Sequence, residues 1–183
     1  MNQIKILAFD LMGVILTEKD NNDPVFNDFD RHFDSDQIFY PWVKEEYDLD
    51  PAQADEKALE IMKQNYLVRD QTIFDLSKDY IFAEASNHLA VINQYLESIG
   101  ILKYFSHIIN SSEIGVCKPD PEFFKILITK VKESPENILF IDDKPENIES
   151  AQSVGLNTFN FNRNHDQYNL REQVEQELLK YQL

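Results

Sequence analysis

Four short stretches hold the residue types that do chemistry at carboxylate and lysine centres. In Lys5-Ile6-Leu7-Ala8-Phe9-Asp10 an apolar run ends in one carboxylate, and Gly13 follows three positions later. In the stretch from Tyr80 a second apolar run ends in Ser86-Asn87. Lys118 stands immediately before Pro119-Asp120-Pro121, a proline-bounded helix start. From Asn137 a third apolar run ends in Asp142-Asp143, with Asn147 four residues on. A carboxylate such as Asp10 can attack phosphorus, giving an aspartyl-phosphate that splits one hard displacement into two steps, or it can attack carbon. Two carboxylates converging at neighbouring strand ends repel each other unless a cation lies between them. Magnesium suits a site of a few carboxylates, waters and phosphate oxygens.

Each of these residues also has a plainer reading. Asp10 could cap a turn, Ser86 a helix, and Asp142 and Asn147 the start of the helix that follows. What separates the two readings is the set of elements that would position them. The apolar runs are short and lack a helical period, which marks strands buried on both faces. Carboxylates at the C-terminal ends of such strands stand where open α/β sheets bind ligands. Gly13 allows a tight backbone turn beside Asp10.

Along the chain, residues 4–10 read as the first strand and Thr17 to Pro24 as a polar, turn-rich exit. Val25 to about Arg69 has a helical pattern, with Asp50-Pro51 as an N-cap and first helical position. Ala54, Ala58, Ile61, Met62 and Leu67 continue it, and Trp42 with several Tyr and Phe residues supplies a local core. A helix is expected over Asp70–Ser77, a strand over 80–86, a helix over His88–Ser98 ending at Gly100, and a strand over His107–Asn110. Phe123, Phe124, Leu127, Ile128 and Val131 share one face of a helix over Pro121–Lys132. A strand at 138–142, a helix from Pro145 to Val154, a strand over Asn157–Phe161 and a helix over Glu172–Tyr181 complete the core, with a polar loop near Asn160 to Asn164. Strands alternating with helices imply an α/β fold, a Rossmann-like parallel sheet with right-handed crossovers. The expected division is a core of residues 1–16 and 70–183 with a small helical cap, 17–69, inserted after the first strand.

The ordered set Asp10, Ser86, Lys118 and Asp142-Asp143-x-x-x-Asn147 resembles the four motifs of the haloacid dehalogenase (HAD) superfamily, over roughly residues 4 to 160. Within it the chain looks most like the small-cap phosphatases, the glucose-1-phosphatase-like proteins and the phosphatase domain fused to epoxide hydrolases. The resemblance implies the HAD fold and a Mg2+-dependent hydrolase. Asp10 would be the nucleophile and a metal ligand, Asp143 the second carboxylate ligand, and the main-chain carbonyl of Met12 the third protein ligand. Lys118 would neutralise the nucleophile and the transferring phosphoryl charge. Ser86 and Asn87 would bind the phosphate, while Asp142 and Asn147 would orient the groups around the metal. The substrate class so implied is a small phosphorylated metabolite, a sugar phosphate first.

One position departs from the family pattern. Most superfamily phosphatases read Asp-x-Asp, and the second acid is here Met12. That Asp protonates the leaving oxygen and later activates water, a role typically worth about 10²–10⁴ in rate. Three readings stay open: a phosphatase whose leaving group departs readily, such as an anomeric hydroxyl; a dehalogenase-type hydrolase; or a catalytically impaired phosphate- or partner-binding protein on the same scaffold.

Composition bounds these readings. The 183 residues suit one domain with a modest insertion. A net charge of -16 argues against nucleic acid and anionic membranes as partners, and it demands local positive charge at any phosphate site. One cysteine, Cys117, excludes an internal disulfide and reads as a small apolar residue. His32, His88, His107 and His165 lack ligand spacing and read as structural, with His88 close behind Ser86. No membrane span or signal pattern is evident, and the cytoplasm is the expected compartment.

Overall fold

The computed structural model describes residues 3–19, 23–164 and 169–182. Strand β1 (Ile6–Phe9) is buried along its whole length. It is followed by β2 (Leu16–Glu18), α1 (Pro24–Asp30), α2 (Asp36–Tyr47), α3 (Pro51–Asn65) and β3 (Tyr66–Val68). A 3₁₀ segment (Gln71–Lys78) leads into β4 (Ile81–Ser86), then α4 (Ile92–Ser98), β5 (Phe105–Asn110), α5 (Ser111–Ile114) and α6 (Pro121–Val131). The chain closes with β6 (Ile138–Asp142), α7 (Pro145–Ser153), β7 (Asn157–Asn160) and α8 (Leu170–Leu178).

The main sheet has the order β5-β4-β1-β6-β7, and every pairing is parallel. The chain builds outward from β1 to β4 and β5, then crosses back to lay β6 and β7 on the other side. The reversal of strand order beside β1 opens a crevice at the C-terminal ends of the strands, the usual ligand position in such sheets. Register fixes what stands there: Phe9 pairs with Glu84 on one side and Ile141 on the other. Asp10, Ser86 and Asp142 therefore end three adjacent strands.

Successive side chains of β1 point to opposite faces. Leu7 and Phe9 join one apolar cluster and Ile6 and Ala8 another. Both faces are thus covered, and the strand composition is apolar throughout for that reason.

Between β1 and β4 the chain leaves and returns through the antiparallel pair β2–β3, in which Leu16 faces Val68. The helices α1–α3 lie between those strands. Phe29 is their hub: its ring meets Trp42 and Tyr47 at 5.1 Å and Phe39 at 6.0 Å. The α3 start carries a capping box between Asp50 and Gln53, and Ala54, Ala58, Ile61 and Met62 form its buried face. These apolar side chains belong to the same cluster as Leu7 and Phe9.

Several local readings of the sequence are corrected. Tyr66–Val68 is a strand, and Leu67 is exposed there rather than continuing the helical stripe. Leu16–Glu18 is its partner, not loop. The segment after Asp70 is 3₁₀, with the Asp70 carboxylate capping Thr72. The helix behind Ser86 begins at Ile92, because the His88 and Ala90 N–H groups donate to the Ser111 hydroxyl and the Asp36 carboxylate, and the Leu89 N–H to His88 Nδ1, rather than to backbone carbonyls.

Candidate active site

Asp10 follows β1, and its backbone N–H donates to the Ile141 carbonyl at 2.9 Å. The chain then folds on itself: Gly13 donates to Leu16 and Leu16 to Leu11. Gly13 has φ +89°, a region that L side chains rarely adopt. A Cβ there would come within 2.8 Å of the Asp143 carboxylate. Glycine serves both the turn and the close approach of the two acidic loops.

Lys118 links those loops. Its Nζ donates to Asp10 Oδ1 and Asp142 Oδ2, each at 2.7 Å, and its side chain is 1% exposed. Burial by itself would depress the ammonium pKa, but the two carboxylates override it and hold Lys118 charged. Asn87 fixes the lysine backbone from both sides: its Oδ1 accepts from the Lys118 N–H and its Nδ2 donates to the Lys118 carbonyl. Asp142 also accepts from Asn147 Nδ2 at 2.9 Å and from the Lys144 N–H at 2.9 Å. That carboxylate thereby joins Lys118 to the N-terminus of α7.

Asp10 is nearly buried, and burial pushes its carboxyl up to about 7, opposed by Lys118 and reinforced by Asp142 and Asp143. Asp143 meets Arg163 at 2.7 Å through Oδ2, and its buried Oδ1 has no partner among the described residues. Oxygens of Asp10, Asp142 and Asp143 lie within 4.8 Å of one another. Three clustered carboxylates, one with an orphaned buried oxygen, fit a hard divalent cation.

The structure brings Asp10, Met12, Asn87, Lys118, Asp143 and Asn147 onto one cavity of about 230 Å³. Met12 lines it with a half-buried apolar side chain. Ser86 does not line it. Its hydroxyl donates to Glu84, a fully buried carboxyl that burial pushes up to about 8 and that also accepts from the Ile109 N–H. Asn87 lines the cavity, but its amide is engaged with the Lys118 backbone. The polar groups of Ser86 and Asn87 thus brace the site in this arrangement.

The opposite wall comes from the inserted segment. Glu18, Asp30, Phe33, Asp34 and Tyr66 face the cavity. Burial raises the carboxyls of Asp30 and Glu18, and the Tyr66 hydroxyl donates to Asp30 at 2.7 Å. Sequence reasoning missed this wall, together with Glu84 and Arg163. Glu84 had a signal, an acid inside an apolar strand; Arg163 lies in a polar loop and had none. Burial raises the Cys117 thiol pKa, which makes it a poor thiolate. His32 stacks on Trp42, His107 lies in β5, and His165 falls outside the described residues.

The model of the haloacid dehalogenase-like hydrolases matches residues 4–155, and the chain belongs to that family. A predicted HAD-like family hydrolase from Porphyromonas gingivalis superposes with a TM-score of 0.69 at 22% identity, covering 98% of this chain and 100% of that one. A HAD family enzyme from Bacteroides thetaiotaomicron, in complex with magnesium and inorganic phosphate, gives 0.66 at 20% identity, covering 90% and 97%. Both likenesses concern the fold. A phosphorylated carbohydrates phosphatase of Thermotoga maritima is 28% identical over 98 residues, 53% of this chain and 45% of that protein. A phosphoglycolate phosphatase of Salmonella typhi is 35% identical over 60 residues, 33% of this chain and 24% of that protein. The bifunctional epoxide hydrolase 2 of Rattus norvegicus is 30% identical over 56 residues, 31% of this chain and 10% of its own length. The chain therefore matches less than half the length of these curated relatives.

Proposed function

We propose that this protein is a magnesium-dependent phosphatase of a small phosphorylated metabolite, with a sugar phosphate as the first candidate. One observation carries the reading: Lys118 bonds both Asp10 and Asp142 at the strand ends, beside an Asp143 oxygen that has no partner among the described residues. Asp10 attacks phosphorus, the ester P–O bond breaks, and a P–O bond to the Asp10 carboxylate forms. Water then hydrolyses the aspartyl-phosphate, releasing inorganic phosphate. Lys118 offsets the charge of Asp10 and of the phosphoryl group, which a protein of net charge -16 repels at long range. Asp10, Asp143 and the main-chain carbonyl of Met12 would hold the cation. When bound, it supplies positive charge that favours ionised Asp10 and screens the phosphoryl oxygens.

Met12 can neither protonate the leaving oxygen nor activate water. The reading therefore favours leaving groups that depart readily, such as an anomeric sugar hydroxyl. Residues 17–69 act as the cap over a core of 1–16 and 70–183, and the acidic wall they bring to the cavity contacts the leaving group. The half-buried Met12 on that cavity favours one rival, an impaired phosphate-binding protein. Phosphate release with magnesium from hexose 1-phosphates, alkyl phosphates and an aryl phosphate decides between them. The phosphatase reading expects turnover of the first and last. Binding of phosphate without turnover of any member would favour the rival.

A further inference from the structure

His88 occupies a position that the phosphoryl chemistry above leaves unused. It directly follows Asn87, is 1% exposed and lines the cavity. Its ring centroid lies 5.5 Å from that of Phe33 and 6.1 Å from that of Tyr66, both from the inserted segment. The Leu89 N–H donates to His88 Nδ1 at 2.9 Å. A ring nitrogen that accepts carries no proton, so the neutral imidazole holds its proton on Nε2. Burial keeps the ring neutral, with its pKa pushed down to about 3. Nε2 is buried and has no partner among the described residues. An unmade hydrogen bond at a buried group is costly, and a ligand acceptor would recover that cost.

We propose that His88 Nε2–H is a specificity contact, donating a hydrogen bond to an uncharged hydroxyl oxygen on the leaving group of the substrate. The cavity decides the charge of the acceptor. Glu18, Asp30 and Asp34 share it. A carboxylate or second phosphate on the leaving group would meet those acids. A hydroxyl accepts from His88 and can donate to a neighbouring carboxylate, so a polyhydroxylated leaving group matches both. The proposal rests on the phosphatase reading for the phosphoryl end of the ligand, but the contact is one of binding and is read without turnover.

The test is calorimetry with magnesium and two phosphonates, whose C–P bond is not a phosphate ester: a hexose 1-phosphonate, which carries the hydroxyls, and methylphosphonate, which lacks them. His88→Phe should weaken the hexose phosphonate about 3- to 10-fold and leave methylphosphonate unchanged. His88→Gln, which keeps an N–H near the Nε2 position, should recover part of the loss. Equal losses for both probes would mark His88 as structural and overturn the proposal, as would no loss at all. If the Phe variant does not fold, the imidazole Nε2–H resonance of the wild type serves instead. It should shift on addition of the hexose phosphonate but not of methylphosphonate, and a resonance unmoved by either would overturn the contact. An intact contact in a protein without turnover would sink the phosphatase reading alone.

Discussion

On the sheet side of the cavity, the Lys118 ammonium is 1% exposed and bonds two carboxylates at 2.7 Å, with Asn87 and Asn147 holding the participants in place. On the side of the inserted segment, Glu18, Asp30 and Asp34 face the same space, and burial raises the carboxyls of the first two. The sheet wall closes its charges into a network before any ligand arrives. The inserted wall turns Glu18, Asp30 and Asp34 toward the cavity, and His88, just after β4, adds a buried Nε2 that has no partner among the described residues. A preformed charged network suits a group that is the same in every substrate. Open polar atoms suit a group that differs from one substrate to another.

The largest expected effect comes from breaking the closed wall. Lys118→Met leaves Asp10 and Asp142 buried with their shared cation gone, and removing one partner of a buried pair costs about 3–5 kcal/mol. Urea unfolding should show that loss, and turnover should vanish with it. A variant as stable as the wild type would mean that the carboxylates are not held together by the lysine.

Glu84 sharpens the comparison through pH. Its folded carboxyl is pushed from 4.5 to about 8, so the folded state holds the proton more tightly than the unfolded chain. Its stabilising contribution is full below the unfolded value and is lost as pH rises toward the folded value. Glu84→Gln does not titrate. Wild-type stability relative to this variant should therefore fall on the order of 3–5 kcal/mol between those two pH values. A flat difference in denaturation midpoint would show that Glu84 is ionised throughout.

Met12→Asp asks whether the cavity can still use a general acid–base. On alkyl phosphates, whose alkoxides need a proton, the gain should approach about 10²-fold in kcat. On an aryl phosphate it should stay small, unless hydrolysis of the aspartyl-phosphate limits the rate. Equal gains on both substrates under rate-limiting chemistry would place residue 12 away from the leaving oxygen.

The smallest effect belongs to Arg163, whose side chain is 55% exposed while it pairs with Asp143. Half-exposed pairs contribute little to stability. Arg163→Gln removes a cation that competes for Asp143, so magnesium should bind a few-fold tighter by calorimetry. Weaker binding would show that Arg163 orients Asp143 instead.

How much of this was legible in the sequence follows from range. Asp10, Lys118 and Asp142-Asp143 stand at strand ends or helix starts, which local apolar runs and prolines mark. The five-stranded parallel sheet follows from alternating runs of that kind. The pair β2–β3 escaped because three residues are too few to display an alternating period, and Tyr66–Val68 continues an apolar helical stripe. The orientation of Ser86 was partly readable: Glu84 stands two residues earlier on a strand, hence on the same face. The Arg163–Asp143 contact was not, because it joins residues twenty positions apart through a loop without periodic pattern. The place of His88 behind Ser86 is visible in the sequence, but its tautomer depends on the Leu89 N–H, which only the folded backbone aims at Nδ1.

The central claim is covalent phosphoryl transfer through Asp10. Steady-state phosphate release from an aryl phosphate with magnesium, compared between wild type and Asp10→Asn, tests it most directly. The account predicts turnover in the wild type and none above background in the folded variant, because an amide is a poor nucleophile. Turnover that survives Asp10→Asn would contradict it.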